Sequence, residues 1–318
     1  MASLSGSLRQ DLSRGLRAIL LGTSALLPAA VWGPALAQAP NAVPTGGQVS
    51  AGQATITQSG TRTQVTQGTN RAAIDWQTFN VGRNSSVNFT QPNAGAWTLN
   101  RVATPDPSMI AGQITANGGI AIVNPSGVVF AQGAQVNVGS LVATASNITN
   151  QNFMAGRMQF DGKPNPGARV ENRGTITVAD RGLAALVAPG AANSGTIRAR
   201  LGTAVVAGAE SFRLDLAGDG MLSLEVTQSV RRTSDGATAL VTNSGVIEAH
   251  GGQVILTAQA ASGLVESLVR NTGRVSANAA EGRAGRVVIS GSGGGNVDIA
   301  GGSVSARGGA VEITARNA

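Results

Sequence analysis

Four copies of one short pattern, Asn-x-Gly-x-(Ile/Val), recur in the second half of this chain, opening at Asn172, Asn193, Asn243 and Asn271. Each copy runs on into a second phrase that begins with glycine and continues in apolar residues, from Gly182, Gly202, Gly251 and Gly285, and a degenerate fifth unit follows from Gly301 and Gly308. Successive asparagines stand 21, 50 and 28 residues apart. The long interval reads either as two units or as one unit carrying the insertion Glu210 to Val226. A repeat in the twenties, built from two or three short strands with no helical period, is the mark of a solenoid whose units each contact only their neighbours. The fold expected is therefore all-β: a right-handed parallel β-helix, a single-stranded solenoid, with an N-terminal β cap and short β-hairpin insertions. An antiparallel sandwich of hairpins has no reason to repeat itself in this way.

The pattern also predicts a register. Asn and Gly tolerate left-handed backbone angles and close each coil, while stacked Asn side chains can hydrogen-bond from coil to coil, so Asn172, Asn193, Asn243 and Asn271 are expected to form a turn ladder. Four residues beyond each Asn, the residues Ile176, Ile197, Ile247 and Val275 should occupy equivalent interior positions. With 44 glycines and only 3% aromatic residues in 318, the interior is expected to be narrow, filled by Val, Ile, Leu and Ala, and closed to bulky rings.

The first 37 residues read differently. Arg9, Arg14 and Arg17 precede a mainly apolar run from Ala18 to Ala30, and Ala35-Leu36-Ala37 offers the small-x-small pattern of a cleavage site. Residues 1–37 are expected to be a signal peptide. The apolar run is broken by Pro28 and is shorter than the ~20 residues of a spanning helix, so no membrane span is expected in the mature chain. The absence of cysteine suits an exported chain that must stay unfolded across a second barrier, since a disulfide would close loops. The formal charge of +7 falls to about +5 once the leader is removed. Its arginines are scattered, Arg231-Arg232 is the only adjacent basic pair, and no aromatic residues interleave with them; the reading is a solvated strand face with no nucleic-acid partner.

Catalytic and ligand chemistry finds little purchase. With no cysteine and one histidine, neither a thiol nucleophile nor a His/Cys metal site can be assembled, and no cofactor or metal is expected. Asp215 and Asp219 could serve as paired acids of the kind β-helix enzymes use on polysaccharides, but they lie in an insertion whose Asp219-Gly220 reads as a hairpin turn. His250 has no partner in sequence and reads as an exposed turn residue. The phrase from Gly293 to Ile299 is similar to one calcium-binding nonapeptide, but a single copy makes no roll. None of the glycine-rich stretches continues into Lys-Ser/Thr and a helix, so they are turns and not phosphate loops. Sequons at Asn84, Asn88 and Asn147 report surface turns.

The stretch Ala121 to Ala145 sets an Asn-Pro-Ser-Gly turn between two apolar runs. Pro125 pre-sets the turn, Gly127 supplies a permissive angle, and Asn124 can bond its own backbone, so the segment closes a coil between buried strands. In order along the chain come Trp76-x-x-Phe79-Asn80, Leu99-Asn100-Arg101-Val102, Gly112-x-Ile114-x-Ala116-Asn117-Gly118 and Asn124-Pro125-Ser126-Gly127-Val128. These four together resemble the secretion domain of two-partner secretion exoproteins of Gram-negative bacteria, the family of filamentous haemagglutinin, its co-secreted haemolysins and contact-dependent inhibition toxins. The resemblance is close over 39–145 and looser beyond. It implies that Asn124, Pro125, Ser126, Gly127 and Val128 are the family's secretion motif, with Ser126 and Val128 in place of Asn and Ile; Gln91-Pro92-Asn93 is the nearest phrase to a further family motif, Asn-Pro-Asn-Leu. It implies as partner an outer-membrane β-barrel transporter with periplasmic recognition domains, through which the chain threads to the cell surface or the medium. On this reading residues 38–165 are the secretion domain and residues 166–318 are further coils of an adhesin-like, non-enzymatic exoprotein. A host or neighbouring-cell surface receptor is a further expected partner. The alternatives are a secreted polysaccharide-cleaving β-helix enzyme and the N-terminal part of a toxin delivery protein. The chain stops at Glu312 to Ala318 without a clear cap, which reads as truncation or as a short member.

Overall fold

The computed structural model describes residues 38–215, 223–234 and 236–316; the leader at 1–37 and Asp219 lie outside them. Among the described residues the chain winds as a parallel β-helix with three faces. One coil shows the plan. Arg169–Asn172 lies in the first face, Thr175–Val178 in the second and Leu183–Ala188 in the third, after which Gly190–Asn193 begins the next coil directly beside Arg169–Asn172. We call these the asparagine face, the short-strand face and the long-strand face. They hold seven, ten and ten strands.

The register follows the sequence period. On the short-strand face a single interior column runs Val87, Ile114, Val136, Ile176, Ile197, Ile247, Val275, each residue paired with the next in parallel register and each fully buried. β-Branched side chains suit this position because they stand on a pleated surface and pack against the same residue type above and below. The interval between Asn193 and Asn243 is one coil with an insertion: Asn193 pairs directly with Asn243, and Ser211–Asp215 and Ser223–Gln228 form an antiparallel hairpin outside the solenoid.

The N-terminal end is closed by antiparallel pairing. Gln48–Ala51 lies against Arg71–Trp76 on the long-strand face, and Ala54–Ser59 folds back on Arg62–Gln67 on the short-strand face. These two segments cover the edges that the first coil would otherwise leave open.

Two features differ from the sequence reading. Rings do enter the solenoid: Phe79, Phe89 and Phe130 are buried in its core with Trp76, whose ring meets Phe79 edge-on at 5.5 Å between centroids. They lie in the early coils; in the column of Ile110 and Phe130 the next coil places Asn172. The long-strand face, moreover, is buried on both sides in its middle strands. The short helix Asn150–Met154 and an antiparallel sheet of Met158–Phe160, Ser211–Asp215 and Ser223–Gln228 lie over its outer surface as a lid. Phe153, Phe160 and Phe212 pack there against Leu99, Val123, Val142, Val187 and Val205, with Phe160 and Phe212 stacked at 4.7 Å. That burial explains why Leu183–Ala188 and Thr203–Gly208 read as unbroken apolar runs and not as alternation.

The interior column yields a first test. Ile197→Asp puts a charge among Ile176, Ile247 and their neighbours and should cost roughly 3 kcal/mol or more, whereas Thr177→Asp, on an outward position of the same face, should stay within about 0.5 kcal/mol. Urea midpoints of the two variants measure the difference.

Candidate functional site

The Asn-Pro-Ser-Gly turn occupies the corner where the long-strand face, at Gly119–Val123, passes to the asparagine face, at Gly127–Phe130. Proline fixes the backbone at its second position. The Asn124 side-chain oxygen accepts the Ser126 N–H at 2.9 Å, and the Gly127 N–H donates to the Asn124 carbonyl at 2.8 Å, so an Asx turn lies inside a β-turn. Gly127 has φ of +111°, and a Cβ there would press into the Arg169 carbonyl of the next coil; no other residue fits.

Asn124 is fully buried. Its amide donates backward to the Asp106 carbonyl at 3.0 Å and the Ser108 hydroxyl at 3.1 Å, and its backbone N–H donates forward to Thr144 at 3.1 Å. The Ser126 hydroxyl donates to the Thr104 carbonyl at 3.1 Å and accepts from the Asn165 amide at 2.9 Å, while the Asn165 N–H donates to the Pro125 carbonyl at 2.9 Å. The turn is thereby tied to the coil before it, the coil after it and the loop around Asn165. Gly127 and Val128 are buried as well, so of the five motif residues only Pro125 and Ser126 keep partial exposure. Asn165 was not a sequence candidate, although an Asn between Pro164 and Pro166 is a strong turn signal.

The other motif residues also turn inward. Trp76 donates its indole N–H to Asn100 at 3.0 Å, Asn80 accepts the Met109 N–H at 2.8 Å, and Arg101 pairs with Asp75 at 2.7 Å. Gln91, in the Gln91-Pro92-Asn93 phrase, is a buried amide before a proline, as Asn124 is. It donates to the Gly119 carbonyl at 2.9 Å and the Thr98 hydroxyl at 3.1 Å, accepts the Gly118 N–H at 2.8 Å, and exchanges backbone bonds with the Asn117 amide. The two phrases brace different corners by the same means.

Asn172, Asn193, Asn243 and Asn271 stack at the end of the asparagine face. Each amide donates to the side-chain oxygen of the next, at 2.8, 2.8 and 2.7 Å, and all four are buried. Beside them Gly174, Gly195, Gly245 and Gly273 stack so closely that a Cβ on any of the last three would strike the carbonyl of the glycine one coil earlier. On the outer surface beside Asn172, burial pushes the Glu171 carboxyl up, but hydrogen bonds and charge from Arg173 and Arg169 outweigh it and hold the pKa below the ordinary carboxylate value.

Other candidates fall elsewhere. His250 lies in a turn, as expected, but is half-buried and not exposed: its Nδ1 accepts the Asn278 N–H at 3.2 Å and links two coils. Arg231-Arg232 lies in the irregular segment after the hairpin, not on a strand face. Asp215 sits on the hairpin, while Asp219 is outside the described residues. Among the described residues no three His, Cys, Asp or Glu gather as a metal site, and no helix is long and apolar enough to cross a membrane.

Comparison with known proteins places this geometry. A family model described as the TPS secretion domain matches residues 41–303. A heme/hemopexin-binding protein of Haemophilus influenzae, strain Rd, is 39% identical over 106 residues, 33% of this chain but 12% of that relative. A second heme/hemopexin-binding protein of Haemophilus influenzae is 40% identical over 96 residues, 30% of this chain and 10% of its own length. The crystal structure of the HMW1 secretion domain from Haemophilus influenzae superposes with a TM-score of 0.70 at 25% identity, over 86% of this chain and 70% of that one.

Two measurements check the site. Asn193→Ala leaves an Asn172 N–H and the Asn243 oxygen without their partner and should cost roughly 2–4 kcal/mol, about twice the cost of Asn271→Ala at the end of the ladder; thermal melting compares them. For Glu171, the lowered folded pKa means its contribution is present above the unfolded carboxylate pKa and is lost as pH falls through the folded value. Glu171→Gln should therefore flatten the acid limb of stability against pH by about 1 kcal/mol or less.

Proposed function

The chain belongs to the TPS secretion domain family, and from that membership we propose that it is the recognition and folding-start segment of an adhesin-like exoprotein of a Gram-negative bacterium. Residues 1–37 direct export across the inner membrane. Residues 38–165 are read in the periplasm by an outer-membrane β-barrel transporter, and residues 166–318 are coils that follow it to the cell surface or the medium. The observation that carries the secretion-domain reading is the family match, which spans residues 41–303 and so extends beyond residue 165. The change from Phe130 to Asn172 in one interior column supports a division near residue 165, since the asparagine ladder begins there.

In this reading the secretion motif acts through the fold. Asn124 cannot touch a partner from its buried position, so it shapes the corner, and Pro125 and Ser126 present it. Once outside, each coil that closes buries apolar side chains and pairs its backbone with the coil before, which opposes return through the barrel. The heme/hemopexin-binding relatives are matched over 12% and 10% of their length, which supports a shared export segment and leaves the cargo beyond it unassigned.

Co-expression of the full chain with its transporter tests the proposal. Wild type should reach the medium only when the transporter is present. Asn124→Ala should lower the melting temperature, at roughly 1–3 kcal/mol, and the exported fraction together; loss of stability with unchanged export would remove the motif from recognition. The polysaccharide-cleaving alternative is checked by incubation with pectin: no sugar release is expected from wild type, and cleavage lost in Asp215→Asn with Asp219→Asn would reverse the assignment.

A further inference from the structure

The lid over the long-strand face is made from two parts of the chain that whole coils keep apart in sequence. Its first part, residues 145–168, is pinned at its base, where Asn147 and Gly162 exchange backbone hydrogen bonds at 2.9 and 3.0 Å. Early coils hold the rest of it: the Arg101 guanidinium donates to the Ile148 carbonyl at 3.1 Å, and Arg71 lies over the Phe153 ring at 5.3 Å. Met158–Phe160 is thereby set on the outside of the solenoid, where its one partner strand among the described residues is Ser211–Asp215. Two whole coils, from Arg169–Asn172 through Thr203–Gly208, come between the two strands in the chain.

The second part closes on the first. Phe160 is paired with Phe212 in the strand register as well as ring on ring, the Ser211 hydroxyl donates to the Phe160 carbonyl at 3.1 Å, and the Ser146 hydroxyl donates to the Glu210 carbonyl at 2.9 Å. The outer strand, Ser223–Gln228, reaches forward: Leu224 and Val226 line one groove with Thr257 and Val288, on strands that follow it in the chain.

Two observations separate the lid from the coils. Its three strands form a sheet of their own that shares no strand with the three faces. Its apolar side chains belong to a cluster on the outer side of the long-strand face, and that cluster has no buried side chain in common with the interior one. Coil pairing and the interior column are therefore complete without the lid, while the lid has nothing to close on without the coils.

We propose that the hairpin of Ser211–Asp215 and Ser223–Gln228 is a late-closing latch. The coils form first, leaving open both the free edge of Met158–Phe160 and the outer row of Leu99, Val123, Val142, Val187 and Val205; the hairpin then covers the two together. A free strand edge beside an apolar strip invites aggregation, and the latch ends that stage. The unit that folds to a covered state accordingly extends through the hairpin and not to residue 165. On the export reading above, on which this timing rests, the latch closes only once residue 228 has left the barrel.

The test is hydrogen exchange of the purified chain, which involves no transporter, so its failure leaves the export reading standing. In the native state the amides of Met158–Phe160 and Ser211–Asp215 should exchange through one shared opening, roughly tenfold or more faster than those of Ile176, Ile197 and Ile247. During refolding, pulse labelling should find those three isoleucines protected first and both lid strands later and together. Phe212→Ala with Leu214→Ala should speed exchange at Met158–Phe160, itself unaltered, by roughly a hundredfold or more, with the isoleucine amides still the slower set. If that variant does not fold, Phe212→Leu, which keeps an apolar side chain but loses the ring stack, should speed the same amides severalfold. A single opening and a single refolding phase shared by lid and isoleucine amides, or unchanged protection of Met158–Phe160 in the variants, overturns the latch.

Discussion

Each coil of this protein obtains its backbone hydrogen bonds from the coils on either side. Among the described residues no strand of one face pairs with a strand of another face in the same coil; Arg169–Asn172 pairs with Gly127–Phe130 before it and Gly190–Asn193 after it, and the other two faces repeat the arrangement. Unpaired backbone groups are costly once buried, so a coil is stable only against a neighbour already in place. The antiparallel segments Gln48–Ala51 and Ala54–Ser59 supply a first neighbour. Everything downstream inherits its register from them, which is why the recognisable motifs crowd into the first coils.

Stacking at the spacing of paired strands, ~4.8 Å, then dictates the corners. At the corner from the asparagine face to the short-strand face there is no room for a Cβ, so Gly174, Gly195, Gly245 and Gly273 follow in line. The carbonyl and amide groups freed at such a bend need partners, and Asn172, Asn193, Asn243 and Asn271 supply them while bonding one another. The ladder has a direction, since each amide donates to the later coil; an added coil offers an acceptor to a donor already in place.

These local and nearest-neighbour constraints were legible in the sequence. The period of Asn and Gly predicted both the parallel register and the interior column through Ile176, Ile197, Ile247 and Val275, because one collision repeated at one corner forces one residue type. The interval of 50 residues was legible as an interruption of that period, but whether it held two coils or one coil with the insertion Glu210 to Val226 was not, and the direct pairing of Asn193 with Asn243 decides for the insertion. Contacts between non-equivalent parts were not. Phe153, Phe160 and Phe212 meet only when two insertions fold over the long-strand face, and nothing in their spacing announces it. The burial of Asn124 depends on Asp106 and Ser108 of the preceding coil, so the turn chemistry was readable but its inaccessibility was not. His250 was read correctly as a turn residue, but its partial burial was missed for want of its partner Asn278, 28 residues on.

The division of labour among the corners has a physical basis. Inward strand positions on all three faces are committed to the core, and the outward positions that lie under the lid on the long-strand face are committed to it, so a residue changed there alters stability first. The asparagine–glycine corner is committed too, since any side chain added at its glycines breaks the stack. The corner from the long-strand face to the asparagine face meets such a collision at Gly127 but does not repeat it in every coil: it accommodates a four-residue turn at Asn124, a lid-forming insertion before Ala168 and a hairpin after Gly208 without disturbing the pairing on either side. Variation that leaves the register intact can accumulate only where the register does not pass. The insertion ends that gather along that corner are held in place by buried polar side chains, here Asn124 through Ser126 and Asn165, that tie those ends back to the coils.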